Sequence, residues 1–301
     1  MSGRKGEKND GPLLRIGELS RRTGVHADTL RAWERRYGLL SPARSDGGFR
    51  LYSGEDEERV RATRALIDSG LSAAEAARLA RSGVVPSPSP GATSPANADR
   101  RLREALERFD EAEANIVLDE AIAALSVEAL ASRVVLPALE EVGERWERGE
   151  ASVGQEHFAT NVVRGRLAGL ARNWGVGSGP LAILACPPGE LHDIGLLVFG
   201  LVLRARGWRI AYLGANTPIA SVTEAAERLA PRVVVLAALS EEPFSSAADE
   251  IARLGEGTRV LLAGAGADEA SCSRANAELL SGDPVGAAEQ LVGPGPPEAS
   301  R

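Results

Sequence analysis

His192 and Glu190 are the side chains best placed to do chemistry, because they lie in the stretch PPGELHDIG, directly after a short apolar run. An imidazole in such a loop can bind a metal ion, and a carboxylate two residues earlier can accept the other ring N–H and fix the tautomer. Gly195 would let a large planar ligand approach closely. The alternative hypothesis is a lone surface histidine on a loop. His26, near the start of a predicted helix, is assigned no chemistry.

Short apolar runs alternate with helical patterns from Pro180 onwards, which is typical of a parallel sheet with helices on both faces. Ligands bind at the carboxyl ends of the strands in such sheets, so the loop with His192 is predicted to lie at the binding edge. We predict a Rossmann/flavodoxin-like domain over 179–292 and a disordered tail over 293–301. The predicted strands are Leu181–Ala185, Arg209–Leu213, Val233–Ala238 and Arg259–Ala263, and the predicted helices are Ile194–Arg206, Ile219–Leu229, Pro243–Arg253 and Asp268–Leu280.

Residues 99–176 show helical spacing almost throughout, with breaks at Gly149 and Gly154. Several helices joined by short loops predict a four-helix bundle. The apolar positions that define its stripes include Leu102, Leu106, Phe109, Phe158, Val162 and Leu167.

Residues 83–98, GVVPSPSPGATSPANA, have no periodic apolar face, and their Pro, Ser, Gly and Ala content predicts a linker. The linker separates the bundle from an N-terminal head over 11–82. The charge also divides there: residues 1–83 carry a balance of +4 and the rest of the chain −11, which together give the net −7. Positive charge concentrated in one segment indicates contact with phosphates.

The composition argues against several classes of protein. No apolar run approaches the roughly 20 residues of a membrane span, and the polar N-terminus lacks the apolar core of a secretory signal. Cys186 and Cys272 are too few for a disulfide scaffold and fit a reducing compartment. We therefore expect a cytoplasmic protein without a membrane partner.

The head has the spacing of a helix–turn–helix. Its second helix is predicted over Ala27–Tyr37, with Leu30 and Trp33 facing inward and arginines facing outward. A short hairpin over Ala43–Tyr52 follows and carries two more arginines. Arginine matches guanine edges and phosphates equally well. The alternative hypothesis is a solvated basic face on a small helical domain.

The stretch RIGELSRRTGVHADTLRAWERRYGLLSPARSDGGFRLYS resembles the MerR family of winged-helix regulators over its whole DNA-binding unit. The resemblance implies that the second helix reads double-stranded operator DNA and that the hairpin, or wing, flanks it. MerR-like proteins usually dimerise through a long coiled coil after the head. Because a Pro-rich linker stands there instead, the assembly interface is predicted in the C-terminal modules. The predicted DNA-binding residues are Arg31, Arg35, Arg36, Tyr37, Arg44, Arg50 and Tyr52.

The motif Glu190-x-His192-x-x-Gly195 resembles the cobalamin-binding motif of methionine synthase and the mutases. The resemblance implies that His192 is the lower axial cobalt ligand, in place of the cofactor's own dimethylbenzimidazole, which would thread into the sheet beside small residues. Two features depart from the pattern. Glu190 stands where the family often has Asp, and Ala265 separates Gly264 from Gly266, whereas the family has two adjacent glycines. The other cofactor-binding residues predicted in this domain are Asp193, Ser240, Gly264 and Gly266.

The segment from Trp146 to His157 resembles the helical cap of the CarH/LitR group, light-sensing MerR-type regulators that use adenosylcobalamin. Trp146 and the pair Glu156-His157 match residues that pack over the adenosyl group there. Glu147, also a predicted cofactor-binding residue, departs from the group, which commonly has a histidine that binds cobalt from the upper side after photolysis. A carboxylate is a harder ligand for cobalt than imidazole. Glu147 therefore puts in question the adduct between that histidine and cobalt after photolysis, but it does not affect the prediction that the cofactor binds.

The sequence therefore predicts a multidomain α and α/β transcriptional repressor with a winged head, a bundle and a cobalamin-binding domain. Adenosylcobalamin and light are predicted to control a homotetramer or dimer and, through it, operator binding. One alternative is a regulator of the same fold that responds to another corrinoid, a tetrapyrrole or a partner protein. The other is a cobalamin-dependent methyltransferase or mutase, which the missing substrate-binding barrel and the DNA-binding head disfavour.

Overall fold

The computed structural model describes residues 13–45, 47–82 and 94–292. The chain divides into two compact units. The first comprises the chain up to Ala98 together with Asp119–Leu130, and the second comprises Asp99–Leu118 and the chain from Ala131. Within the described ranges no helix combines the length and the apolar character needed to cross a membrane. The predicted tail, 293–301, and residues 83–93 of the predicted linker lie outside the described residues.

The head consists of four helices and a hairpin, and the second helix and the hairpin lie where the sequence predicts them. Gly24 and Gly38 follow the first two helices with φ of 66° and 59°, a left-handed conformation that suits glycine. Ser53 begins the third helix in a reciprocal capping box with Asp56. The elements are α1 (Ile16–Thr23), α2 (Ala27–Tyr37), β1 (Ala43–Arg44), β2 (Arg50–Leu51), α3 (Gly54–Asp68) and α4 (Ala73–Ser82).

Residues 95–170 are almost entirely helical. The elements are α5 (Pro95–Glu107), α6 (Glu111–Ala124), α7 (Val127–Leu130), a π-helical turn (Ala131–Val135), α8 (Leu136–Glu147) and α9 (Val153–Leu170). Helix α5 begins four residues before the predicted boundary at residue 99, so the predicted linker 83–98 is too long at its C-terminal end. The cause is local: the Ser94 hydroxyl accepts the Asn97 N–H as a cap, and Pro95 suits the first helical position.

Phe109 does not continue the apolar stripe of Leu102 and Leu106, contrary to the prediction. Both leucines are buried, but α5 ends at Glu107, and Phe109 has φ 55° and is half exposed. Its ring packs against Phe158 with centroids 5.2 Å apart. The left-handed turn at Phe109 therefore ends the helix before the stripe is completed.

The first unit includes the turn between α6 and α7. Ser72 donates its backbone N–H to the Ala124 carbonyl at 2.8 Å, and Ser126 donates to the Gly70 carbonyl at 3.0 Å. These bonds form an antiparallel bridge between the α3–α4 turn and the α6–α7 turn. The two serines also cap α4 and α7, so the same residues begin both helices and join them.

Five parallel strands form the sheet of the second unit, in the order β4-β3-β5-β6-β7. This is the flavodoxin-like order, which confirms the predicted fold class. The order reverses between β3 and β5, and the carboxyl ends of strands at such a reversal are where ligands bind. The elements are β3 (Leu181–Ala185), α10 (Ile194–Ala205), β4 (Arg209–Gly214), α11 (Ile219–Leu229), β5 (Val233–Ala237), α12 (Glu242–Ser246), α13 (Ala248–Gly257), β6 (Val260–Ala263), α14 (Glu269–Arg274), β7 (Glu278–Leu280) and α15 (Pro284–Val292).

Two predicted helices of this domain were wrong in detail. The helix predicted over Asp268–Leu280 ends at Arg274, because Asn276 adopts φ 47°, and the chain then continues as the edge strand β7, paired with β6. The helix predicted over Pro243–Arg253 is divided into α12 and α13 at Ala247. A three-residue edge strand carries too little periodicity to be distinguished from helix by spacing.

Candidate functional site

His192 lies in the loop between β3 and α10, at the reversal of strand order. Its Nδ1 atom lies 2.7 Å from Oε1 of Glu190, and its backbone N–H donates to the same oxygen at 2.7 Å. The second oxygen of Glu190 accepts the backbone N–H of Leu239, directly beyond β5, at 2.7 Å. Because a carboxylate accepts hydrogen bonds, Nδ1 carries the proton and Nε2 keeps its lone pair. The imidazole itself is exposed, and the carboxylate that holds it is buried.

The Glu190 carboxylate is ionised in this setting. Burial opposes its ionisation, but the backbone N–H groups of His192 and Leu239 and the His192 ring outweigh that effect and hold the pKa of Glu190 below its usual value. An ionised carboxylate raises the basicity of the imidazole nitrogen that remains free. The pair thus presents a single oriented imidazole ligand.

Neighbouring chain segments fix the backbone of this loop on both sides. Asn216, which follows β4, accepts the Gly189 N–H at 2.9 Å and donates its own N–H to the Glu190 carbonyl at 2.8 Å. Asp193 is buried, and Tyr212 of β4 donates its hydroxyl to Oδ2 of Asp193 at 2.7 Å. The Asp193 carboxylate is therefore engaged by the protein, and its direct contact with a cofactor stays a prediction.

Exposed apolar side chains surround the imidazole. Leu191 and Leu239 are 61% and 55% exposed, and Leu213, near the end of β4, is also exposed. Three leucines open to solvent at the ends of three adjacent strands fit a large apolar ligand face. A single imidazole supplies one coordination position, so the donor set fits a metal that brings its other ligands with it. In the described segments, no group of three or more His, Cys, Asp or Glu is placed to hold a bare metal ion.

Two of the three glycines predicted to make room for the cofactor lie against backbone. A Cβ on Gly264 would lie 2.3 Å from the Ala238 carbonyl oxygen, and one on Gly266 would lie 2.0 Å from the Ser240 carbonyl oxygen. The missing side chain of Gly195 faces Pro284, at 3.5 Å, in α15. A side chain at Gly264 or Gly266 would therefore clash with backbone, whereas Gly195 makes only an ordinary contact, and the roles of all three glycines towards a cofactor stay predictions. Ser240, three residues beyond the end of β5, is exposed and stays a candidate.

The predicted cap residues lie on either side of the α8–α9 turn. Trp146 and Glu147 end α8 and are exposed. Glu156 lies in the first turn of α9 and accepts the Thr160 hydroxyl at 2.9 Å, and Nε2 of the exposed His157 lies 3.5 Å from Oε2 of Glu156. Over the described residues, no hydrogen bond or ion pair joins these four side chains to the loop of His192.

Helix α2 of the head presents its arginines as predicted. Leu30 and Trp33 are buried in the head core, and Arg35 and Arg36 are exposed. Arg31 is exposed as well, but its Nη1 donates to Asp28 at 2.6 Å. A cleft of about 250 Å³ between α1, α2 and the hairpin is lined by, among others, Arg15, Arg31, Phe49 and Arg50. This surface combines cations with an exposed aromatic ring, which suits a DNA backbone.

Glu34 binds two side chains of the wing, Arg50 and Tyr52. Tyr52 is fully buried and donates its hydroxyl to Oε2 of Glu34 at 2.9 Å. Burial, and then this hydrogen bond, raises the pKa of Tyr52 to about 12. Nε of Arg50 donates to the other oxygen of Glu34 at 2.9 Å, and Arg44 is exposed on β1. Tyr52 therefore joins the hairpin to α2 with its hydroxyl bonded to Glu34, and its predicted contact with DNA stays a prediction.

Tyr37, at the end of α2, is half-buried, and its carbonyl accepts the Arg81 guanidinium at 2.8 Å. A cation at the carboxyl end of a helix satisfies a free carbonyl and complements the helix dipole. Arg81 ends α4, so the orientation of α2 depends on a residue far along the chain. Its role and that of Tyr212 have no local sequence pattern. Asn216 does have a signal, the turn-forming stretch GANTP after a strand.

Three family models match the chain in the same order as these structural parts. Residues 14–83 match the family described as "MerR HTH family regulatory protein". Residues 98–170 and residues 180–285 each match a family described as "B12 binding domain". The matches cover the head, the helical region and the domain with the parallel sheet.

Similar proteins include two repressors of Myxococcus xanthus. The HTH-type transcriptional repressor CarA is 38% identical over 269 residues, covering 85% of this chain and 88% of CarA. The HTH-type transcriptional repressor CarH is 33% identical over 284 residues, covering 89% and 95%. The monomethylamine corrinoid protein of Methanosarcina barkeri shares the fold, with a TM-score of 0.55 at 21% identity over 65% of this chain and 97% of that protein. The chain therefore belongs to the family of MerR-type transcriptional regulators with B12-binding domains, together with CarA and CarH.

Proposed function

We propose that this protein is a cobalamin-dependent transcriptional repressor that binds adenosylcobalamin and responds to light. The observation that carries the proposal is the His192–Glu190 pair, an exposed imidazole held by a buried carboxylate at the reversal of strand order. Bound adenosylcobalamin would supply a cobalt–carbon bond that light can break. His192 would hold the cobalt from below through Nε2, with Glu190 fixing the tautomer.

The helical cap would enclose the upper face of the cofactor. Trp146 and His157 are exposed near the α8–α9 turn and Glu156 is partly exposed, which leaves them available for a ligand. Trp146 would contribute an apolar surface, and Glu156 and His157 would contribute hydrogen-bonding groups. Ser240, three residues beyond the end of β5, would lie beside the displaced tail of the cofactor.

The head would bind double-stranded operator DNA through Arg31, Arg35 and Arg36 of α2, with Arg44 and Arg50 of the wing on the flanking backbone. We further propose that the cofactor-bound protein is a homotetramer or dimer assembled through its C-terminal modules. Linked heads gain avidity, so loss of the assembly releases DNA without any change in a base contact.

Size-exclusion chromatography with absorption spectra tests the proposal on the full chain. Apo protein, the dark adenosylcobalamin complex and the illuminated complex are compared, together with the variants His192→Ala and His26→Ala. We expect a coloured, larger assembly in the dark that becomes smaller under green light. The first variant should bind much less cofactor, whereas the second, altered in the exposed head histidine, should match the wild type. A wild-type protein that stays colourless with adenosylcobalamin, methylcobalamin and hydroxocobalamin overturns the proposal.

Glu147 favours a second candidate, a cobalamin-binding regulator that responds to another corrinoid, a tetrapyrrole or a partner protein without the usual light switch. The Glu147 carboxylate is exposed at the end of α8 and is a poorer cobalt ligand than imidazole. Binding of adenosylcobalamin with no change of assembly size under light would support this candidate. Glu147→His should then restore a light-dependent change, and its failure to do so would show that Glu147 does not cause the difference.

A further inference from the structure

Arg164 of α9 contacts both residues that flank His192. Its Nη2 lies 2.7 Å from Oδ1 of Asp193 and donates to the Leu191 carbonyl at 3.3 Å. One guanidinium thus binds the backbone on one side of the imidazole and a carboxylate on the other. Both contacts are made by the same nitrogen, Nη2, so the loop is held at a single point of the guanidinium.

The Asp193 carboxylate is anchored from the sheet as well. It is 8% exposed, and its second oxygen accepts the Tyr212 hydroxyl at 2.7 Å. The Tyr212 ring packs edge-on against Trp174, with centroids 5.8 Å apart. A buried carboxylate is costly to leave unpaired, so removal of Arg164 would disturb the loop and not only one contact.

Arg164 shares its helix with two of the proposed cap residues. Glu156 and His157 lie eight and seven residues before it on α9, which is about 11 Å along the helix axis at 1.5 Å per residue. A rigid helix fastened to the His192 loop at Arg164 therefore has a fixed height above the carboxyl edge of the sheet. That height determines the space left for a ligand between α9 and the imidazole.

We propose that Arg164 is a positioning residue for the cofactor, because it clamps Leu191 and Asp193 to α9 and so fixes both the imidazole of His192 and the height of the cap. The inference rests on the proposed cobalamin site. Arg164 touches neither cobalt nor corrin in this assignment and acts through the loop. The clamp belongs to the apo protein too, so it can be measured without any cofactor.

The first experiment is hydrogen–deuterium exchange of the apo full chain, followed in peptides that cover residues 187–197. Arg164→Met is compared with the wild type and with Arg259→Met, which removes an exposed Arg259–Glu278 pair at the other end of the sheet. We expect faster exchange in the loop for the first variant alone. Unchanged exchange there overturns the clamp, whatever the protein does with corrinoids.

The second experiment measures the dissociation rate of cobalamin and the absorption spectrum of the complex. We expect Arg164→Met to speed dissociation about tenfold or more, as loss of an orienting partner typically does at metal sites, with a partial spectral shift that reports a poorly held axial nitrogen. The double variant Arg164→Met/Asp193→Asn should dissociate cobalamin no faster than the combined effects of the two single variants on the rate would give. A wild-type dissociation rate in Arg164→Met overturns the proposal. If the wild-type protein binds no corrinoid, the cofactor role is overturned, and the hydrogen–deuterium exchange result still decides whether the clamp exists.

Arg164→Lys is a second variant that keeps the proposal testable if Arg164→Met fails to fold. It keeps the positive charge but replaces the planar guanidinium with an ammonium on a flexible stem. We expect it to melt like the wild type and to dissociate cobalamin at a rate between those of the wild type and Arg164→Met. Full recovery of the wild-type rate with lysine would contradict a requirement for the guanidinium and support a clamp that depends on the positive charge alone.

Discussion

Glu190 and His192 share two hydrogen bonds, since the same carboxylate oxygen lies 2.7 Å from both the backbone N and the Nδ1 atom of His192. The other oxygen is fixed by Leu239, on the far side of the strand-order reversal. The carboxylate therefore ties the imidazole to two strands of the sheet at once. This arrangement makes the orientation of His192 a property of the sheet and not of a free loop.

Glu190→Gln is expected to weaken cobalamin binding. A neutral amide keeps the shape but is a poorer acceptor for the Nδ1 proton, so the free nitrogen loses basicity and orientation. Loss of such an orienting partner typically costs about 10–100-fold in metal affinity. The dissociation constant follows from spectrophotometric titration with hydroxocobalamin. Glu289→Gln, in an exposed pair with Arg206, is the control. Equal affinity in both variants would contradict the assigned role of Glu190.

Tyr52→Phe is expected to lower the stability of the head and to change how that stability depends on pH. The lost buried hydrogen bond to Glu34 contributes about 1 kcal/mol. Burial and that bond raise the pKa of Tyr52 to about 12 in the folded protein, compared with about 10 unfolded. The folded state thus holds the proton more tightly, so this stability is present below about pH 10 and is lost as pH rises towards 12.

Thermal unfolding between pH 8 and 12 checks this difference. The wild type should lose more stability than Tyr52→Phe over the upper part of that range, with Tyr37→Phe as the matched tyrosine control. Parallel curves for the wild type and Tyr52→Phe would show that the Tyr52 proton is not linked to folding.

Arg35→Ala is expected to weaken DNA binding without affecting stability. Arg35 is exposed on α2 and, within the described part of the chain, forms no ion pair, so its removal leaves no buried partner. A lost phosphate contact lowers the slope of log affinity against log salt by about 1. Fluorescence anisotropy with random double-stranded DNA at several salt concentrations measures that slope. Arg228→Ala, on α11, should leave it unchanged. A wild-type slope in Arg35→Ala would place α2 away from the DNA.

The parts of the fold that the sequence could predict are those with strong local periodicity. The strands from β3 to β6 are continuous apolar runs between turn residues, and Ser53 and Ser152 begin helices with capping boxes. The loop of His192 follows from its place after the first of these strands. The short edge strand β7 has three residues and gives no such signal.

The roles of individual site residues were harder to predict, because they depend on partners distant in sequence. Asp193 follows the proposed cobalt ligand, yet its carboxylate is taken by Arg164 and Tyr212, 29 and 19 residues away. Tyr52 lies in a DNA-binding motif, yet Glu34 draws its hydroxyl inward. Residue type and spacing identify candidates for a site, but burial and pairing decide which of them face a ligand.

Gly266→Ala is expected to destabilise the sheet domain and not simply to narrow a cofactor channel. The new Cβ would meet the Ser240 carbonyl oxygen at 2.0 Å, so the backbone after β5 or β6 must move. Forced shifts of this kind typically cost about 1–3 kcal/mol, which urea unfolding of the apo protein measures. Gly169→Ala, in helix α9 with nothing within 4 Å of the new Cβ, should instead stabilise by roughly 0.5–1 kcal/mol. If Gly266→Ala folds as stably as the wild type and loses only cobalamin affinity, then this glycine serves the cofactor after all and the backbone explanation is wrong.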